Sequence, residues 1–207
     1  MDAKICGIND FSTLSYIIEH NHSPKFVGFI VNYKKSKRYI EFEKLKKLIN
    51  IKKKKINFVA VLVNPNKNTL EKIKNLNFDF YQLYNVSPEK TKSIKVKYKK
   101  KIITALTIEK KSDVERYKKF ESISDIILFD GKGYEKSLKF DHKLLKDVPN
   151  HITKMLAGNI QYNDKLDKYS EITDIIDISG SLETLGKKDI SKIDIFLKNI
   201  SRVKNAN

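Results

Sequence analysis

Cysteine occurs once in this chain, as Cys6, so no disulfide can form within it. Arginine is nearly as scarce: of 42 basic residues only Arg38, Arg116 and Arg202 carry a guanidinium. No apolar run approaches the roughly 18 residues that a membrane span requires. The chain passes from Met1-Asp2 into a short apolar run with no basic and hydrophobic leader before it. One thiol and no leader together give the expectation of a reducing, cytoplasmic setting without a membrane partner. No G-x-G-x-x-G follows the first apolar run, no P-loop or Ser-His-Asp pattern occurs, and His20, His22, His142 and His151 lack metal-ligand spacing. Dinucleotide binding therefore has little support, and neither metal nor cofactor is expected. Beyond the lysine runs there is no linker, repeat or low-complexity stretch, so one domain over 1–207 is the expectation.

What the chain has in excess is lysine, which carries most of a net charge of +17. Such a charge invites a polyanion, since nucleic acids bind basic proteins by releasing counterions. Arginine, however, is the usual choice for bidentate contacts to phosphates and bases. With 40% apolar and 32% charged residues the chain reads as globular. Its charge is then mostly solvated surface that attracts small anions, and no nucleic-acid partner is expected.

The apolar period switches repeatedly along the chain. Short runs rich in β-branched and aromatic residues predict strands near 3–8, 26–31, 56–63, 78–84, 101–108, 124–130, 152–158 and 175–180. Helical spacing fills the intervals near 11–21, 41–49, 66–76, 88–99, 112–121, 140–146, 162–172 and 189–200. Ser87-Pro88-Glu89 offers an N-cap with proline at the first helical position, and Ser112 precedes Asp113 and Glu115. Eight strands alternating with eight helices predict a single (β/α)8 TIM barrel, an α/β fold of eight parallel strands ringed by helices. An open doubly wound sheet is the second choice. On a barrel, Lys52–Lys55 and Lys99–Lys101 fall before strands, at the face opposite the usual active site.

Strand ends converge on one rim of a barrel, so the residues there become neighbours. Cys6 ends the first strand and is a candidate base if its thiolate is stabilised; a small buried apolar residue is the alternative. Lys4 reads as a poor helper, one layer deeper on the same face. Asp130 closes the strand Ile126-Ile127-Leu128-Phe129, where desolvation raises a carboxyl pKa and suits it to proton donation; a cap or an ion pair is the alternative. Arg38, after the second strand, has a fork suited to a carboxylate, with a surface ion pair as the other reading. Gln82 falls after the fourth strand and is expected to line the pocket. Small residues at the last two strand ends, Gly158-Asn159 and Ser179-Gly180-Ser181, let backbone N–H groups approach a phosphate.

These residues carry a resemblance that runs end to end. Lys4-Ile5-Cys6-Gly7-Ile8 resembles the opening K-I-C-G-[LI] of the phosphoribosylanthranilate isomerase family. Gly28-Phe29-Ile30 followed by Ser36-Lys37-Arg38-Tyr39-Ile40 matches its G-F-x-F and S-x-R-x-[VI]. Val59–Asn64, Tyr81-Gln82-Leu83, Asp130, Phe140-Asp141, Leu156-Ala157-Gly158, Asp177-Ile178-Ser179, Glu183 and Gly186-Lys187-Lys188-Asp189 follow in order. The resemblance implies a cofactor-free Amadori rearrangement of phosphoribosylanthranilate in tryptophan biosynthesis by a monomer or homodimer. It makes Asp130 the acid, Cys6 the base, Arg38 the clamp on the anthranilate carboxylate, and the two small-residue loops the phosphate cradle. The chain departs from the pattern at four places. Q-L-H-G reads Gln82-Leu83-Tyr84-Asn85, A-G-G-[LI] reads Ala157-Gly158-Asn159-Ile160, and S-S-G reads Ser179-Gly180-Ser181. The glycine-rich lid aligns with Tyr134-Glu135-Lys136-Ser137, leaving Gly131-Lys132-Gly133 to supply flexibility and Lys132 or Lys136 to meet the phosphate. Another phosphosugar as substrate, or nucleic-acid binding on a degenerate barrel, stay open as alternatives.

Overall fold

The computed structural model describes residues 1–131 and 140–205. The lid expectation at 134–137, with Lys132 and Lys136, lies outside the described residues. Eight parallel strands close on themselves in chain order: β1 (Asp2–Cys6), β2 (Phe26–Ile30), β3 (Asn57–Val63), β4 (Phe80–Tyr84), β5 (Lys101–Ile108), β6 (Ile126–Gly131), β7 (Lys154–Ala157) and β8 (Ile175–Ile178). The seam pairs β1 with β8, Lys4 opposite Asp177. The expected (β/α)8 barrel is the observed fold.

Strand alternation sorts the apolar residues into two cores. On β3, Phe58, Ala60 and Leu62 point outward under the helices, while Val59 and Val61 fill the barrel with Phe26, Phe80 and Met155. Both faces are covered, which is why the strands read as continuous apolar runs.

The helices are α1 (Phe11–Glu19), α2 (Phe42–Leu48), α3 (Lys67–Ile73), α4 (Pro88–Tyr98), α5 (Lys111–Val114) and α6 (Ile190–Asn205). The Ser87 hydroxyl caps α4 by accepting from the Lys90 N–H at 3.3 Å, as expected. Three expected helices are corrected. The segment 112–121 is one α turn followed by a 3-10 helix over Glu115–Lys119, and 140–146 and 162–172 hold 3-10 helices at His142–Asp147 and Leu166–Tyr169. The reason is spacing. Buried residues recur there at intervals of three: Val114, Tyr117 and Phe120; Leu145 and Val148; Leu166, Tyr169 and Ile172. Three residues per turn is the 3-10 period, whereas α6 buries Ile193, Phe196, Leu197 and Ile200 at mixed three- and four-residue intervals. The start near Ser112 is corrected too: Ser112 lies inside α5, and the Asp113 carboxylate accepts the N–H groups of Glu109 and Lys110. No helix among the described residues is long and apolar enough to cross a membrane.

After β8 the chain makes a 3-10 turn at Gly180–Leu182. A two-rung hairpin follows, in which Glu183–Thr184 pairs with Lys187–Lys188. That hairpin brings two charged side chains to the barrel mouth.

Candidate active site

A cavity of about 320 Å3 opens at the C-terminal ends of the strands. Cys6, Arg38 and Asp130 line it, as do Gly158-Asn159 and Ser179-Gly180-Ser181. Gln82 does not. It is fully buried, because β4 runs on two residues past it and Tyr84 takes the place at the rim.

At the cavity floor lies a buried charge pair, with Asp177 lining the cavity and Lys4 beneath it. Lys4 is fully buried, and its Nζ donates to Asp177 Oδ2 at 2.8 Å. The expectation that Lys4 is a poor helper is corrected: the ammonium and the Cys6 thiol sit side by side over Gly28, and its charge opposes the rise of the thiol's pKa. A lysine stem spans the two-residue rise that separates Lys4 from Cys6 on one face of β1. Gly28 makes the room. A Cβ there would come within 3.0 Å of Cys6 Sγ and 3.2 Å of Lys4 Nζ. Burial pushes the Cys6 thiol above its ordinary pKa; the Lys4 ammonium opposes this, with Lys188 adding to it, while Asp177 reinforces it. Burial also disfavours the Lys4 charge, yet Asp177 and Cys6 outweigh it and hold that ammonium protonated.

Across the cavity, burial pushes the Asp130 carboxyl up to about 7. A hydrogen bond from Tyr84, whose hydroxyl donates to Asp130 Oδ2 at 2.9 Å, pulls the other way, and the Asp177 charge raises it further. Such a carboxyl carries a proton to give near neutrality.

Arg38 packs over Gly7, which adopts φ +77°; a Cβ on Gly7 would lie 2.3 Å from Arg38 Cδ. Its guanidinium makes a two-point pair with Glu183, Nε to Oε1 at 2.5 Å and Nη2 to Oε2 at 2.9 Å. Glu183 also accepts from Lys188 Nζ at 2.9 Å, and Lys188 donates to the Ser179 carbonyl at 2.9 Å. Burial would raise the Glu183 carboxyl, but Arg38 and Lys188 hold it below its ordinary range. The ion-pair reading of Arg38 thus holds alongside its place in the cavity. Two of its five N–H donors are spent on Glu183.

On the far wall Gly158 has φ +104° and Asn159 φ +54°, so the backbone turns there through the left-handed region. Asparagine tolerates that region better than most residues. Ser181 Oγ is buried without a hydrogen-bond partner, and Ser179 Oγ donates to the Cys6 carbonyl at 2.9 Å, tying the loop after β8 to β1.

Residues 3–199 match the family model for N-(5'-phosphoribosyl)anthranilate (PRA) isomerase. The chain belongs to the PRA isomerase family. Its relatives include the N-(5'-phosphoribosyl)anthranilate isomerase of Rhizobium rhizogenes, 32% identical over 94% of this chain and 91% of that one. The enzyme of the same name from Thermoanaerobacter pseudethanolicus is 30% identical over 97% and 98%. The crystal structure of phosphoribosyl anthranilate isomerase from Thermotoga maritima superposes with a TM-score of 0.86 at 25% identity, covering 99% of each chain.

In this PRA isomerase family member, sequence reasoning did not single out Tyr84, Asp177, Glu183 or Lys188 as site residues, and it dismissed Lys4. Strand alternation alone places Lys4, Tyr84 and Asp177 inside the barrel, and a charged residue at an interior position was the available signal. Glu183 and Lys188 stand among the positions that carry the family resemblance, but only the hairpin brings them to Arg38.

Proposed function

We propose that this chain isomerises N-(5'-phosphoribosyl)anthranilate to 1-(2-carboxyphenylamino)-1-deoxyribulose 5-phosphate in tryptophan biosynthesis. Asp130 gives its proton to the furanose ring oxygen. The C1–O bond breaks, and the anthranilate nitrogen lone pair closes a C1=N iminium. The Cys6 thiolate then takes the proton from C2, and the C2–H electrons form the C1=C2 bond of an enolamine. Loss of the O2 proton and gain of one at C1 complete the ketone, so atoms and electrons balance without an external oxidant.

One observation carries this reading: a carboxyl that titrates at about 7 and a thiol beside a buried ammonium line one cavity. Arg38, held by Glu183, turns its remaining donors to the anthranilate carboxylate. The backbone at Gly158-Asn159 and at Ser179-Gly180-Ser181 receives the phosphate, with the unpaired Ser181 hydroxyl as a further donor. Gln82 acts from below the cavity, through Tyr84. The reading takes the protein as one catalytic domain over 1–207, a cytoplasmic monomer or homodimer with no cofactor and no nucleic-acid or membrane partner. Arg38 favours it over another phosphosugar, because a carboxylate clamp needs an acidic aglycone.

The test is loss of substrate fluorescence when the purified protein meets N-(5'-phosphoribosyl)anthranilate generated in place from anthranilate and phosphoribosyl pyrophosphate. Turnover above the spontaneous rate that disappears in Cys6→Ala is the expected result. Folded protein without turnover would overturn the assignment.

A further inference from the structure

Tyr84 at the end of β4 and Asp130 near the end of β6 meet across the strand between them. Register explains how. Tyr84 pairs with Ala105 of β5, and Ala105 pairs with Leu128, two residues before Asp130. Ala105 points into the barrel with a single methyl, so the phenol passes over it to reach the carboxyl.

The Tyr84 hydroxyl donates to Asp130 Oδ2 at 2.9 Å while accepting from Gln82 Nε2 at 3.3 Å. A hydroxyl has one hydrogen, and an accepted bond from Gln82 commits that hydrogen to Asp130. Asp130 Oδ1 is buried and has no hydrogen-bond partner. In a neutral carboxyl the oxygen that accepts a hydrogen bond acts as the carbonyl, and the proton sits on the other.

We propose that Tyr84 is a positioning residue for the acid: by occupying Oδ2 it places the transferable proton on Oδ1, the oxygen that no other group of the protein engages. The inference rests on the isomerase reading above and adds a residue that the family resemblance does not supply, since the pattern has histidine where this chain has Tyr84. Burial, reinforced by the Asp130 charge, holds the phenol well above its ordinary pKa, so Tyr84 stays a donor throughout the working range. The other ionisable groups acting on the pair are Asp177 of β8, and Lys4 and Cys6 of β1.

The variant Tyr84→Phe keeps the ring and removes the hydroxyl. Two measurements are made on it and on the wild type: kcat/KM against pH with N-(5'-phosphoribosyl)anthranilate, and titration of the Asp130 carboxyl in substrate-free protein. The titration uses 13C NMR of aspartate-labelled protein, with the resonance assigned by its absence in Asp130→Asn. The reaction needs Asp130 protonated and Cys6 ionised, and Asp130 titrates below Cys6. The lower break in kcat/KM therefore follows Asp130 and the upper break follows Cys6. Because the Tyr84 bond favours the ionised carboxylate, its loss moves the midpoint up from about 7 by roughly one unit. The lower break moves with it, and kcat falls on the order of tenfold. Tyr84→His, which restores an N–H donor, brings the midpoint back toward that of the wild type.

A wild type that turns over, beside a Tyr84→Phe variant with an unmoved midpoint and break, overturns the proposal alone. A wild type without turnover overturns the isomerase reading and the proposal with it.

Discussion

Lys4 and Asp177 are register partners across the β1–β8 seam, and their side chains meet at 2.8 Å inside the barrel, next to Cys6. Placing a lysine in a barrel core costs several kcal/mol of desolvation unless an anion matches it. Asp177 provides the match, and Cys6 sits where it shares the resulting field. Burial holds the Cys6 thiol above its ordinary pKa, and of the pair Lys4 opposes that rise while Asp177 adds to it.

The first prediction concerns that pair. Lys4→Met removes the charge that opposes the rise in the Cys6 pKa, so the thiolate fraction falls. Alkylation of Cys6 by iodoacetamide, read as a single mass shift because the chain has one cysteine, should slow on the order of tenfold. The variant also leaves Asp177 buried and unmatched, at about 3–5 kcal/mol. Lys4→Met/Asp177→Asn should recover most of that stability in denaturant melts and, because the Asp177 charge also raises the Cys6 pKa, part of the alkylation rate. An alkylation rate unchanged in Lys4→Met would refute the electrostatic role.

The second concerns Asp130. Its carboxyl titrates at about 7 in the fold against an ordinary 3.8, so the native state binds the proton more tightly than the unfolded chain does. The contribution of Asp130 to native stability is therefore greatest below pH 3.8 and is lost as pH rises through about 7. Asp130→Asn, which cannot ionise, should be more stable than the wild type at alkaline pH by on the order of a few kcal/mol. In acid the two should converge. Thermal melts at the two extremes check this, and equal melting temperatures at alkaline pH would mean that Asp130 is not held protonated.

The third tests the clamp. Arg38→Lys keeps the charge but loses the fork that grips Glu183 at two points. KM should rise by roughly tenfold or more while kcat changes little, the mark of lost uniform binding. A fall in kcat with KM unchanged would move Arg38 from binding into the chemical step.

The fourth compares two glycines with the same backbone. Gly7 and Gly186 both have φ +77°, but a Cβ on Gly7 meets Arg38 at 2.3 Å whereas Gly186 has nothing within 4 Å. Gly186→Ala should show only the left-handed strain of about 1–2 kcal/mol and normal kinetics. Gly7→Ala should lose more stability and raise KM as Arg38 is displaced. Steady-state kinetics and urea melts on both variants separate strain from displacement.

Much of this molecule was legible before the fold was known. Runs such as Phe58–Val63 are apolar on both faces, which only a covered parallel sheet allows, and the residues after such runs must then share a rim. Cys6, Asp130 and Gly158 were found that way. The helices were read less well where the spacing mattered. The segment 112–121 reads as an α-helix, although its buried residues Val114, Tyr117 and Phe120 recur at the three-residue interval of a 3-10 helix. Gln82 was expected in the cavity, but two further residues of β4 put Tyr84 there instead.

The sequence by itself determined the barrel, the rim and the candidate acid and base, because the period of burial is local and depends on each residue's own neighbours. Only the tertiary structure decided their electrostatic company. Lys4 is 173 positions from Asp177 in the chain, Arg38 is 145 from Glu183 and Tyr84 is 46 from Asp130. A pKa is set by the charges and solvent within a few ångströms, and closing the barrel is what brings those charges together.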